Sequence, residues 1–214
     1  MTRLVDAPAV VDAAVSQFSD GPAKPVGEGA KPLRADARRN REKLLSAAAE
    51  AFTAHGVEVS LEEIARQAEV GIGTLYRNFP TREALVLAVY QQQIEDLDVL
   101  SRTLLDEHPP LEALRIWMSA FTDYVAVKRG LINLLKVMIE ADGQLLDGAR
   151  ETLRSAADRL LAAAKETDGI TSDISGGDLV RTLSGVCMTS SAGAVPTSVI
   201  ELIFDGLRYR AAGN

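Results

Sequence analysis

The chain has 214 residues, 47% of them hydrophobic and 25% charged, with a formal net charge of −7. That composition can bury a sizeable core; it excludes a protein that is basic all over, and the lone cysteine, Cys187, excludes an internal disulfide framework. No stretch approaches the roughly 20 apolar residues of a membrane span, and the N-terminus lacks the apolar run of a signal peptide. A cytoplasmic protein with no membrane partner is expected. Strand-favouring runs are nearly absent while Ala, Leu, Glu and Arg abound, so the expected fold class is all-α.

Residues 1–33 read as a disordered extension. Pro22, Pro25 and Pro32 punctuate a stretch without periodicity, and only Val11, Ala14, Val15 and Phe18 show helical spacing. The first helix is expected over Arg34–His55, with Leu44, Ala47, Ala48, Ala51 and Phe52 on its buried stripe and Gly56 as a left-handed cap. Its leading end is the basic part of the chain: Lys31, Arg34, Arg38, Arg39, Arg41 and Lys43 face only Asp36 and Glu42. Such a run is either a solvated helix end or a set of phosphate contacts.

Ser60–Arg82 is the most informative stretch. Ser60 followed by Glu63 is a capping-box signature, with the hydroxyl accepting from the Glu63 N–H and the carboxylate reaching back to the Ser60 N–H. Leu61, Ile64, Ala65 and Ala68 form one apolar face. Gly71 is expected to supply the sharp reversal. A second short helix, Ile72–Phe79, follows and ends at Pro80. Leu75 and Phe79 can pack back on Ile64 and Ala68, which leaves Ile72, Gly73, Thr74, Arg77 and Asn78 with no core to face. Two turns of helix do not hold in water by themselves. Such a helix exists only when packed on another, and it then displays small, polar and basic side chains, as the second helix of a helix-turn-helix does. An ordinary helical hairpin is the alternative on spacing alone.

Thr81 caps a long helix running to about Leu105. Pro109 and Pro110 start another. Two helical stretches are expected next, Leu111–Val127 and the nearly all-apolar Leu131–Ala141, the latter buried all round. Leu145 to Lys165 is amphipathic, Ser175 and Asp178 repeat the capping signature, and Pro196 opens the last helix. Trp117, Met118, Phe121, Tyr124, Met138 and Met188 are the large adaptable side chains suited to an apolar ligand between helices, or to plain core packing. Leu179, Leu183 and Val186 with Val199, Leu202 and Ile203 give two apolar faces for a dimer interface. His55 and His108 are not at metal-ligand spacing, and no phosphate loop or nucleophile elbow is present, so neither an enzyme nor a metal or cofactor is expected.

The stretch from Arg39 to Tyr90 resembles the TetR family of bacterial transcriptional regulators. The resemblance is carried by Ala48, Phe52 and Gly56, Ile64-Ala65, Ala68-Glu69-Val70, Gly73-Thr74-Leu75-Tyr76-Arg77-Asn78-Phe79-Pro80 and Thr81-Arg82-Glu83-Ala84-Leu85, and the overall pattern suits actinobacterial members. It implies a helix-turn-helix DNA-binding domain over 34–82 and a ligand-binding and dimerisation domain of helices over 83–214. It also implies a homodimer on a palindromic double-stranded operator, in most cases a repressor released by a small molecule. A ligand-independent activator or architectural protein is the alternative. The candidate DNA-contacting residues are Arg38, Arg39, Arg41, Ser60, Ile72, Gly73, Thr74, Tyr76, Arg77, Asn78 and Arg82. Carried over by position, Thr74 and Arg77 fall on the recognition helix, and Tyr76 and Arg82 fall mainly at phosphate positions. Arg77 reads a base edge or grips a phosphate. Gly71 departs from the small hydroxyl residue usual as the cap of this helix. Ile72 departs too, and can meet a thymine methyl.

Overall fold

The structure, a computed structural model, describes residues 31–208 except 168, 171–172 and 190–194; the side chains of residues 31–34 are not described. The segment around Val11 and Phe18 therefore lies outside the described residues. Among those described, every regular element is helical: α1 Lys31–His55, α2 Leu61–Gln67, α3 Ile72–Asn78, α4 Arg82–Glu107, α5 Pro110–Ala141, α6 Asp147–Glu166, α7 Gly176–Thr189 and α8 Thr197–Arg208.

Helix is already present at Lys31, three residues before the expected Arg34. It ends at Gly56, whose φ of +72° is the left-handed conformation that glycine adopts without strain. Ser60 caps α2 through a 3.1 Å bond from the Glu63 N–H. The reciprocal half of the capping box does not form, because the Glu63 carboxylate accepts from Arg66 Nε at 2.9 Å instead. That bond, and then the Arg66 charge, hold the Glu63 carboxyl below the usual carboxylate range. The reversal into α3 also differs from expectation. Gly71 is extended, with φ −62° and ψ 140°, and the left-handed residue is Glu69 at φ +55°. The turn is tied to α1 by an exposed Lys43–Glu69 pair at 3.6 Å.

Leu75 and Phe79 of α3 are buried with Ile64 and Ala68 of α2 and with Leu44, Ala48 and Phe52 of α1. Three short apolar stripes thus close one small core. Thr81 accepts from the Ala84 N–H at 3.1 Å and starts α4. This helix leaves the three-helix unit and runs between α5 and α6, burying Leu85, Val89, Tyr90, Ile94 and Leu97.

The main departure is α5, one continuous helix of 32 residues where two were expected. Gly130, between the two expected stretches, lies inside it. A Cβ at Gly130 would overlap the Phe52 carbonyl oxygen of α1 and stand 2.8 Å from its carbonyl carbon. Glycine is here a point of close helix approach, not a stop. The second half of α5 is also not buried all round: Leu131 and Leu135 face the core while Val137 is 61% exposed. Around α5 pack α1, α4, α6, α7 and α8. Buried Cys187 on α7 is a small apolar packing group.

Candidate nucleic-acid interface

With Leu75 and Phe79 turned inward, the remaining residues of α3 point away from the core. Ile72 is 37% and Tyr76 45% exposed, and Gly73 and Arg77 are exposed. Nothing lies within 4 Å of a Cβ built on Gly73, so this part of the helix surface is open. Gly71 is the N-cap and offers no side-chain bond to the first turn. The short helix rests on packing alone.

Its polar residues are held in defined places. Arg77 folds along its own helix, donating from Nη2 to Thr74 Oγ1 at 2.8 Å and from Nε to the Gly73 carbonyl at 3.2 Å. Asn78, half-buried, donates to the Thr74 carbonyl at 2.8 Å and so satisfies the end of the helix. Its side chain serves the fold before any DNA. Arg82 is likewise engaged, donating from Nη1 to the carbonyls of Val57 and, at 2.6 Å, Val59. It ties the α1–α2 connection to the start of α4. In the free chain Arg82 is thus a positioning residue.

Arg38, Arg39, Arg41 and Lys43 lie on the exposed side of α1. Arg38 pairs with Glu42 at 3.5 Å and Arg39 with Asp36, both one turn away and both exposed. Exposed pairs of this kind are weak and open to exchange for phosphate. Arg41 sits over the Phe79 ring, 5.1 Å from its centroid, which sets a cation beside the end of α3. That contact was not foreseen from the sequence, since it joins residues nearly forty apart with no local pattern.

The side chains expected to form an effector pocket are not gathered in one place. Trp117, Met118 and Phe121 are fully buried, and Trp117 Nε1 donates to the Leu97 carbonyl at 2.9 Å. Tyr124 is buried beside them, Met138 is half-buried further along α5, and Met188 is exposed on α7. A cleft of about 370 Å³ lies elsewhere, between α1 and α5, lined by Phe52, Thr53, Gly56, Ala126, Arg129 and Gly130. The residues expected at a dimer interface also divide. Leu179 and Leu183 lie in the chain's own core, because α7 packs on α5 and α6 through that stripe. Val186, Val199 and Ile203 are half-buried and Leu202 is 73% exposed, forming an outer apolar side.

Among the described residues no group of His, Cys, Asp and Glu could hold a metal ion, and no helix is long and apolar enough to cross a membrane. A packed pair of short helices with an open polar second helix, beside a basic helix and ahead of a helical bundle, defines a helix-turn-helix protein.

Comparison with known proteins agrees. Residues 44–89 match the family of bacterial regulatory proteins described as tetR, and residues 109–209 match the C-terminal domain of SbtR-like transcriptional regulators. The TetR transcriptional regulator SCO0520 from Streptomyces coelicolor is 40% identical with a TM-score of 0.72, covering 80% of this chain and 99% of that one. A TetR regulatory protein from Mycobacterium vanbaalenii is 35% identical with a TM-score of 0.67, covering 83% and 100%. An HTH-type transcriptional regulator of Staphylococcus aureus is 26% identical over 106 residues, 49% of this chain; the match spans only 57% of that relative's length. The chain belongs to the TetR family, a family of DNA-binding transcriptional regulators.

Proposed function

We propose that this protein is a homodimeric repressor, released from a palindromic operator by a small molecule bound in its helical bundle. The unit over 34–82 binds DNA, and the helices over 83–214 carry dimerisation and effector binding. The observation that carries the reading is the outward face of α3, where Ile72, Gly73, Thr74, Tyr76 and Arg77 are displayed by a helix whose other face is buried. That face fits a major groove. Tyr76 and the arginines of α1 grip phosphates, and Arg77 leaves Thr74 to reach a base edge. The outer apolar side of α7 and α8, with Leu202 at its most exposed point, supports self-association. A small molecule in the bundle acts through α4, which only three residues separate from α3.

The test is selection of bound sequences from random duplex DNA, followed by footprinting and sedimentation of the complex. Two half-sites related by a dyad, spaced by about one helical turn or a multiple of it, are expected, with a free protein of twice 22.9 kDa. A single unrepeated site bound by a monomer would refute the dimeric repressor.

A further inference from the structure

Among the described residues, Lys128 has no carboxylate partner. Lys128 lies on α5 one turn beyond Tyr124 and is half-buried. Its Nζ stands 5.8 Å from the Tyr124 ring centroid and 6.0 Å from that of Tyr90 on α4. The two tyrosines are 3% and 2% exposed, with their hydroxyl oxygens 3.5 Å apart. Among the described residues no carboxylate pairs with Lys128, and the charge it feels is the like-signed Arg150 of α6. Arg150 itself meets Asp147 at 3.1 Å in an exposed pair. Burial first, and Arg150 second, hold the Lys128 amine below the usual lysine range. A half-buried amine held over two phenol rings, with no carboxylate beside it among the described residues, is costly to keep for packing alone. The same set of donors is well suited to an anion.

The shape of the surroundings narrows the ligand. From Lys128 inward the rings of Tyr90, Tyr124, Phe121 and Trp117 follow one another, with successive centroids 6.2, 5.3 and 5.6 Å apart. We infer that Lys128 and the paired hydroxyls of Tyr90 and Tyr124 form the anion-recognising end of the effector site, and that the effector is a small carboxylate with a flat aromatic body. One carboxylate oxygen meets the amine and the other meets the phenols, while the body replaces the amine over the rings. Because Tyr90 is on α4 and Tyr124 on α5, seating a ring between them parts those two helices, and α4 leads directly to the DNA-binding unit. This inference rests on small-molecule release as proposed above.

The full-length protein is tested by titration calorimetry and thermal shift with benzoate and 2-naphthoate, against their uncharged isosteres benzamide and 2-naphthamide. Saturable binding of a carboxylate and not of its amide is expected. Lys128→Met keeps the length and removes a buried charge, so folding is not at risk; it should weaken carboxylate binding about tenfold or more, and Lys128→Arg should retain it. Carboxylates that do not bind, that act no differently from the amides, or that bind Lys128→Met as tightly as the parent overturn the site. An operator complex loosened by an uncharged compound alone would also overturn it while leaving small-molecule release standing. Naphthoate bound through Lys128 without any effect on the operator complex would uphold the anion site and refute release.

Discussion

Replacing Gly130 by alanine tests the close approach of α5 to α1. The added methyl overlaps the Phe52 carbonyl oxygen and lies 2.8 Å from the carbonyl carbon. Carbon atoms pack at about 3.5–4.0 Å, so α1 and α5 must part by about 1 Å or α5 must bend. Overpacking of this kind costs about 1–3 kcal/mol, while exchanging a mid-helix glycine for alanine returns about 0.5–1 kcal/mol. The net loss of about 1–2 kcal/mol should lower Tm by about 2–8 °C in a chain of this length. Gly185 supplies the control. It is also inside a helix, but it is exposed and nothing lies within 4 Å of a Cβ built there. Gly185→Ala should therefore raise stability by about 0.5–1 kcal/mol, opposite in sign. Thermal melts followed by circular dichroism measure both. A Gly130→Ala protein as stable as the parent, with Gly185→Ala stabilised as expected, would refute the close-approach account.

Four further outcomes are expected. Ser60→Ala should cost about 1 kcal/mol in chemical denaturation through loss of the α2 cap, whereas Glu63→Gln should cost little, since that carboxylate serves Arg66 and not the cap. Arg77→Ala should weaken operator binding by about 1–3 kcal/mol and relax preference at one base position; an unchanged binding-site profile would exclude base reading. Lys128→Met should raise Tm at neutral pH. A base whose folded pKa is depressed costs stability below both its values, and the cost fades as pH rises through the folded value, so the advantage of methionine should shrink towards about pH 10.4. Leu202→Glu should leave the helical spectrum intact and yield a monomer by sedimentation; a persisting dimer would remove α8 from the interface.

Where the fold was legible in the sequence, the signal was local. Ser60, Thr81 and Ser175 announce their helices because a cap needs only a hydroxyl and an N–H a few residues on. The inward face of α3 follows from the spacing of Leu75 and Phe79. What misled was any residue whose role is set by a distant partner. The close approach of α5 at Gly130 to Phe52 of another helix leaves no local pattern, and Gly71 looks like the turn while Glu69 takes the left-handed angles. The same holds at the functional residues. Arg82 carries the family's pattern, yet its guanidinium reaches back to Val57 and Val59. Leu179 and Leu183 are as apolar as Val199 and Leu202, and periodicity cannot tell a stripe that meets its own core from one that faces outward.

The unbroken α5 has a mechanical consequence. At 1.5 Å per residue its 32 residues make a rod about 48 Å long, pinned against α1 at Gly130. From that pivot to Pro110 the arm is about 30 Å. A tilt of about 5° about the pivot would therefore sweep the far end through about 2.6 Å while leaving the contact with Phe52 almost in place. Two helices with a break between them would absorb such a tilt at the hinge. A single rod cannot, so a small tilt at one end of α5 is carried along its whole length.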